Sequence, residues 1–147
     1  MLFPRVLAKG FVMKVTGKCH CGSVSYEALA DPEHVAICHC VDCQTLTGTA
    51  YRVSVPVARD SFVLRTGTPA VYVKTADSGA KREQAFCETC GSPIYAAAPG
   101  AEPRVYSIRA GSLDQRDQLK ASIQIWTRSR MSLLDGLDAV PKVETQR

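Results

Sequence analysis

All seven cysteines of this 147-residue chain fall into three tight groups, Cys19-His20-Cys21, Cys38-His39-Cys40-Val41-Asp42-Cys43 and Cys87-Glu88-Thr89-Cys90. Thiols at such short spacing can converge on one metal ion. A structural zinc is closed by four ligands, whereas a reactive zinc takes three from the protein and keeps its fourth position open, so seven thiols divide as four plus three. Cys38, Cys40 and Cys43 can face one ion without long-range closure and form the natural triad. Cys19 and Cys21 then join Cys87 and Cys90, tying an early strand to a distant turn. That closed site contributes to folding directly, because the unfolded chain offers no comparable site.

The triad has no obvious fourth protein ligand. Asp42 is expected to face solvent or cap the following turn, which leaves the fourth position to water or an incoming ligand. Three thiolates on Zn²⁺ carry a net charge of about −1. Such a centre is a weaker Lewis acid than one held by three neutral imidazoles and favours a soft sulfur ligand. Thiol activation therefore fits better than hydrolysis.

Two other uses of cysteine fit less well. A disulfide framework conflicts with the odd count, the lack of a convincing secretory leader and the strain of bridging Cys-X-Cys. The spacings of ferredoxin-type iron-sulfur proteins are absent. In an extended Cys-X-Cys the middle side chain points opposite to its neighbours, so His20 and His39 are expected to turn away from the metal as supporting donors or surface residues. His34 is isolated and reads as an ordinary histidine.

Net charge is +4, from 18 basic and 14 acidic residues. The basic residues are scattered rather than gathered into a stripe, so no nucleic-acid partner is expected. Apolar runs fall far short of the roughly 20 residues needed to span a bilayer. The expectation is a soluble, cytoplasmic protein with no membrane partner. The first 26 residues hold Arg5, Lys9, Lys14 and Lys18 and no acid, a presequence-like balance. Lys9 and Gly10 interrupt the apolar stretch, however, and Cys19 follows too soon for a removable leader. Met13 reads as the natural start, leaving residues 1–12 dispensable, and the chain divides into an N-terminal extension at 1–13, the zinc-binding domain at 14–138 and a loose tail at 139–147.

The remaining chain reads as short strands between Gly and Pro punctuation. They are expected at Gly22 to Ala28, Val35 to Ile37, Tyr51 to Val57, Phe62 to Arg65, Val71 to Lys74, Glu83 to Phe86, Pro93 to Ala97, Val105 to Arg109 and Ile123 to Thr127. Pro56 marks the Tyr51 strand as a sheet edge. Helix is confined to a turn over Cys40 to Thr47 closing at Gly48, another near Asp114 to Leu119 and one near Met131 to Leu137. The fold class is mainly β: a single domain of several short, coiled antiparallel sheets organised around the cysteine clusters, with little helix.

Three segments resemble the glutathione-dependent formaldehyde-activating enzymes, whose domain also occurs in centromere protein V. They are Gly17-Lys18-Cys19-His20-Cys21-Gly22-Ser23-Val24-Ser25-Tyr26, Cys38-His39-Cys40-Val41-Asp42-Cys43-Gln44-Thr45-Leu46-Thr47-Gly48 and Phe86-Cys87-Glu88-Thr89-Cys90-Gly91-Ser92-Pro93-Ile94-Tyr95. Val105 to Asp114 and Ile125 to Arg130 are similar as well. The resemblance implies a structural zinc on Cys19, Cys21, Cys87 and Cys90 and a catalytic zinc on Cys38, Cys40 and Cys43. It also implies an activity that joins formaldehyde to the sulfur of glutathione, classed with the carbon-sulfur lyases. The chain departs from the family pattern at Gln124, where a histidine often precedes the Ile-Trp run, and at Met131-Ser132-Leu133, where a Pro-Trp pair often stands. The zinc chemistry thus carries over more directly than the substrate. Arg52, Arg109, Arg128 and Arg130 are the cations available for the carboxylates of glutathione. The competing reading is a non-enzymatic zinc module that binds a protein or nucleic acid, its triad completed by a fourth ligand from elsewhere in the fold.

Overall fold

The computed structural model describes residues 10–100 and 105–146. Most of the predicted N-terminal extension, residues 1–9, lies outside them. The mainly β reading holds, and the ten strands among the described residues divide between two sheets. A three-stranded sheet has the order β1-β2-β5, made of β1 (Met13–Lys18), β2 (Ser25–Ala30) and β5 (Val63–Thr66). A seven-stranded sheet has the order β10-β3-β4-β9-β8-β7-β6. Its members are β3 (Val35–Cys38), β4 (Arg52–Ala58), β6 (Ala70–Thr75), β7 (Lys81–Phe86), β8 (Pro93–Ala97), β9 (Val105–Arg109) and β10 (Ala121–Ile125).

Several expectations change, and β1 (Met13–Lys18) was not among the expected strands. The Pro56 strand is interior, lying between β3 and β9. Pairing with β3 stops at Ser54↔Ala36, so one flank of β4 is already open where Pro56 falls, and its missing N–H is tolerated there. The sheet is also not wholly antiparallel, because β10 runs parallel to β3. β10 ends at Ile125, short of the expected Thr127, because Trp126 takes a left-handed conformation with φ of 58°. The predicted helical turn after Asp114 is a 3-10 turn, Arg116–Gln118. The stretch near Met131 to Leu137 likewise forms 3-10 turns, Ser132–Leu134 and Leu137–Ala139, and residues 140–146 form neither strand nor helix.

The core lies between the sheets. Val15, Tyr26, Ala28 and Ala30 from the small sheet meet Val55, Val57, Ile94 and Ile108 from the large one, all buried. Each fully buried aliphatic side chain contributes about 1.5–3 kcal/mol. Phe62 joins the layers, stacking on Tyr26 at 5.0 Å and meeting Tyr95 and Tyr106 at 5.2 and 5.1 Å. Tyr26 finishes with its hydroxyl 2.6 Å from Ser112 Oγ, and burial pushes its phenol up to about 12. This close fit needs a glycine at position 17. A Cβ there would stand 2.3 Å from Tyr26 Cζ and 2.7 Å from the Ser112 carbonyl.

Residues opposite one another in antiparallel strands project to the same side, so register separates the faces of the large sheet. Ile37↔Val53 and Val55↔Ile108↔Tyr95↔Ala85 fall on the core face. Cys38↔Arg52, Ser54↔Arg109, Ala96↔Gln84 and Arg82↔Lys74 fall on the other. One thiol of the triad therefore shares a sheet face with four cationic side chains.

Candidate metal centres

The structure gathers the cysteines as the counting argument divides them. The sulfurs of Cys19, Cys21, Cys87 and Cys90 lie within 4.8 Å of one another, as do those of Cys38, Cys40 and Cys43. All seven are free thiols.

Two loops of similar build make the four-thiol cluster. In the first, the Gly22 N–H donates to the Cys19 carbonyl, and in the second the Gly91 N–H donates to the Cys87 carbonyl. Both glycines have positive φ, 83° and 76°, which turns each chain back sharply past its cysteines. Cys19 and Cys87 are buried, Cys90 is half-buried and Cys21 is exposed. Sulfur separations of 3.6 Å (Cys19 to Cys21) and 3.8 Å (Cys21 to Cys87) match the edge of about 3.8 Å expected for four sulfurs at zinc bond lengths. A hydrogen bond from Ser92 is the main cause holding the Cys90 thiol down to about 5. The four-thiol set fits a tetrahedral ion.

The triad is built locally. Cys38 ends β3, and Cys40 caps α1 (Val41–Thr47), the one α-helix among the described residues, its sulfur accepting from the Cys43 N–H at 3.3 Å. Gly48 closes the helix in the left-handed conformation, as expected. A hydrogen bond from Cys43 pulls the Cys38 thiol down, while the same bond, with burial, pushes Cys43 up. No fourth Cys, His, Asp or Glu joins this group among the described residues. Asp42 instead accepts from Lys74 Nζ at 2.6 Å, which fastens α1 to β6. The three-thiol set fits a metal with an open position.

His20 is exposed, and His39 is 1% exposed and turned away from the sulfurs. The His39 ring packs edge-on to Tyr51 at 5.6 Å, and its Nε2 lies 2.8 Å from Gln124 Oε1. Gln124, which departs from the family pattern, is therefore the partner of the histidine inside the second cluster. Gln44 Nε2 donates to both the His39 and Ser129 carbonyls at 2.9 Å, binding α1 to the chain after β10.

A cleft of about 740 Å³ opens beside Arg52 and Arg109; Cys19 of the four-thiol cluster is on its wall, and Cys38, Cys40 and Cys43 are not. Thr47, Tyr51, Arg52, Arg109, Ser112 and Arg116 are among its walls. Of the four arginines singled out in the sequence, Arg52 and Arg109 are here. Arg128 lies over the Trp126 ring at 4.8 Å, and Arg130 pairs with Asp135 at 2.5 Å. Gln84, Arg82 and Lys74 were not recognised from the sequence. Lys81-Arg82-Glu83-Gln84 reads as an ordinary polar strand, and its alternation identifies a face without saying what lies across it.

No helix among the described residues is long and apolar enough to cross a membrane. A solved structure of a Rhodobacter sphaeroides protein shares the fold with a TM-score of 0.55, at 19% identity, over 72% of this chain and 96% of that one. The family model for glutathione-dependent formaldehyde-activating enzyme matches residues 14–129, a span that holds every strand but the first residue of β1 and both thiol clusters. The chain belongs to the glutathione-dependent formaldehyde-activating enzyme family.

Proposed function

We propose that this protein is a cytoplasmic, zinc-dependent enzyme of the carbon-sulfur lyase type, which adds a small thiol reversibly to formaldehyde or another small electrophile. Glutathione is the thiol the family points to. The observation that carries the reading is the triad: three half-buried sulfurs within 4.8 Å, with no fourth ligand of the same kind among the described residues. Cys38, Cys40 and Cys43 would hold the catalytic zinc, and Cys19, Cys21, Cys87 and Cys90 the structural one.

Zinc bound by the triad would supply Lewis-acid activation of a thiol sulfur. In the net reaction the thiol gives up its proton, its sulfur bonds to the carbonyl carbon, and the carbonyl electron pair moves to oxygen, which takes a proton. No oxidant or reductant is needed. The chain itself contributes placement, which lowers the entropic part of the barrier. Cys40 caps α1 and holds two of the three sulfurs in register, while Cys38 is fixed by β3.

Exchange spectroscopy on a mixture of glutathione and formaldehyde tests this. The wild type should speed exchange above the spontaneous rate, and Cys40→Ser should not. A wild type with no effect on the rate would remove formaldehyde from the reading. Two zincs per chain are expected, one of them perturbed by glutathione; two equally inert zincs would instead match a zinc module without catalysis.

A further inference from the structure

The sheet face that bears Cys38 also holds an unusual group of charges. Arg52 is only 5% exposed, and burial lowers the guanidinium pKa of both Arg52 and Arg82. Arg109 is pushed down to about 9, first by burial and then by the charge of Arg52. Buried cations normally sit beside carboxylates, because an unpaired charge removed from water costs several kcal/mol. Among the described residues no Asp or Glu pairs with Arg52, Arg82 or Arg109. The neutral amide of Gln84 stands where a carboxylate would be expected. Its Oε1 accepts from Arg52 Nη1 at 3.0 Å and from Arg109 Nη2 at 2.8 Å. Since both partners only donate, the amide oxygen must be the atom facing them.

The clamp leaves binding capacity unused. Ser54 Oγ takes Arg109 Nη1 at 2.7 Å, yet the Nε atoms of both Arg52 and Arg109 are buried with no partner. Both arginines line the cleft, with Lys18 and Arg116 at its exposed margin and Asp114 its one acidic wall residue. Three guanidinium charges also outweigh the single net negative charge of a divalent ion held by three thiolates. The excess calls for a further anion.

We propose that Arg52 and Arg109, clamped by Gln84 on the sheet face that bears Cys38, form a binding site for a substrate oxyanion, and that a carboxylate of the thiol substrate occupies it. This rests on the thiol reading above. Arg82 reinforces the field without lining the cleft, and Gln84 is a positioning residue. Its neutrality is the essential property: a carboxylate at that position would satisfy both arginines from within and close the site to ligands. A thiol lacking an acidic group would lose this anchor and bind more weakly.

The test uses metal-replete full-length protein, with sulfate alone as the first probe and S-methylglutathione, which keeps both carboxylates but has no free thiol, as the second. Calorimetry should show sulfate binding to the wild type at a fixed low chloride concentration. Gln84→Glu should weaken it at least tenfold while raising the melting temperature and leaving zinc content unchanged. Arg109→Met should also weaken it about tenfold, with no requirement that the glutamate variant fold. S-methylglutathione should displace sulfate competitively. Equal sulfate affinity in the wild type and either folded variant, or no sulfate binding to the wild type, would overturn the site. Binding of S-methylglutathione that leaves sulfate in place would overturn its assignment to the substrate carboxylate. If sulfate binds as expected but glutathione exchange is not accelerated, the thiol reading has failed and the oxyanion site stands.

Discussion

The two thiol clusters have the same chemistry and opposite construction. Cys21 and Cys87 meet across 66 residues of chain, two of the four sulfurs in their cluster are buried, and hydrogen bonds from Ser92 and the Val24 N–H act on them. The triad closes within one strand end and one short helix, all three sulfurs are half-buried, and Arg52 is close enough for its charge to lower the Cys43 thiol. An ion in the first cluster joins distant parts of the chain. An ion in the second would join only neighbours, so on the proposed reading its contribution to holding the fold would be small and its free side would be open to a ligand. Ligand type does not separate the two roles; the length of chain closed and the charges nearby do.

The sharpest way to break this contrast is to remove one sulfur from each cluster. Structural zinc sites of this kind contribute about 10–16 kcal/mol of apparent binding energy, as much as the whole stability of a domain, about 5–15 kcal/mol. Cys87→Ser should therefore lose its cooperative thermal transition. Cys40→Ser should keep one zinc and melt within about 4 °C of the wild type. If circular dichroism melts show both variants equally stable, the division between staple and reactive site is wrong.

Gly17→Ala perturbs the staple side without touching a ligand. The added methyl would fall 2.3 Å from Tyr26 Cζ, and relieving that clash should cost about 2 kcal/mol in urea denaturation. Activity per folded molecule should stay near wild type, since the triad lies on other elements.

Acid should empty the clusters in order. Each cluster sets a raised thiol against a lowered one, Cys43 against Cys38 and Cys21 against Cys90, so the thiol shifts do not rank the clusters. Ligand number does: an ion on three half-buried sulfurs would be released by fewer protons than one on four sulfurs, two of them buried. As pH falls, chelator-detected zinc should appear in two steps, the triad releasing first by at least about one pH unit, or roughly 1.4 kcal/mol per proton. A single step, or release in the reverse order, would contradict this ranking. The smallest effect belongs to Lys74→Met. Its ion pair with Asp42 is partly exposed, 18% and 47% for the two side chains, and is worth about 0.5 kcal/mol. Zinc should leave the triad about twofold faster, with global stability unchanged.

Much of the thiol grouping was legible because it is local. Cys38 to Cys43 and the helix stop at Gly48 depend on residues a few positions apart, and β8 and β9 fall at the expected residues, whereas Gly22 was read as the start of a strand that begins at Ser25. Arg52 and Arg109 were named as cations, but their meeting at Gln84 was not legible, because the three come from β4, β9 and β7 and meet only through register across the sheet. Pro56 misled for a related reason. Its strand is interior, and only the length of β3 explains how a proline fits there. The reversal at Trp126 had no sequence signal, since an aromatic residue seldom adopts positive φ.

Helix α1 contains no buried residue. Polar contacts fasten it on two sides: Gln44 to two carbonyls, and Asp42 to Lys74. Regions held this way open at a fraction of the global unfolding energy. The segment that carries Cys40 and Cys43 can therefore peel from the sheet while the aromatic layer and the other cluster stay intact, and its amide hydrogens should exchange with solvent well before those of β2 or β9. On the proposed reading, loading and replacing an ion at the triad would then be acts of one loosely moored turn, with the rest of the molecule serving as its dock.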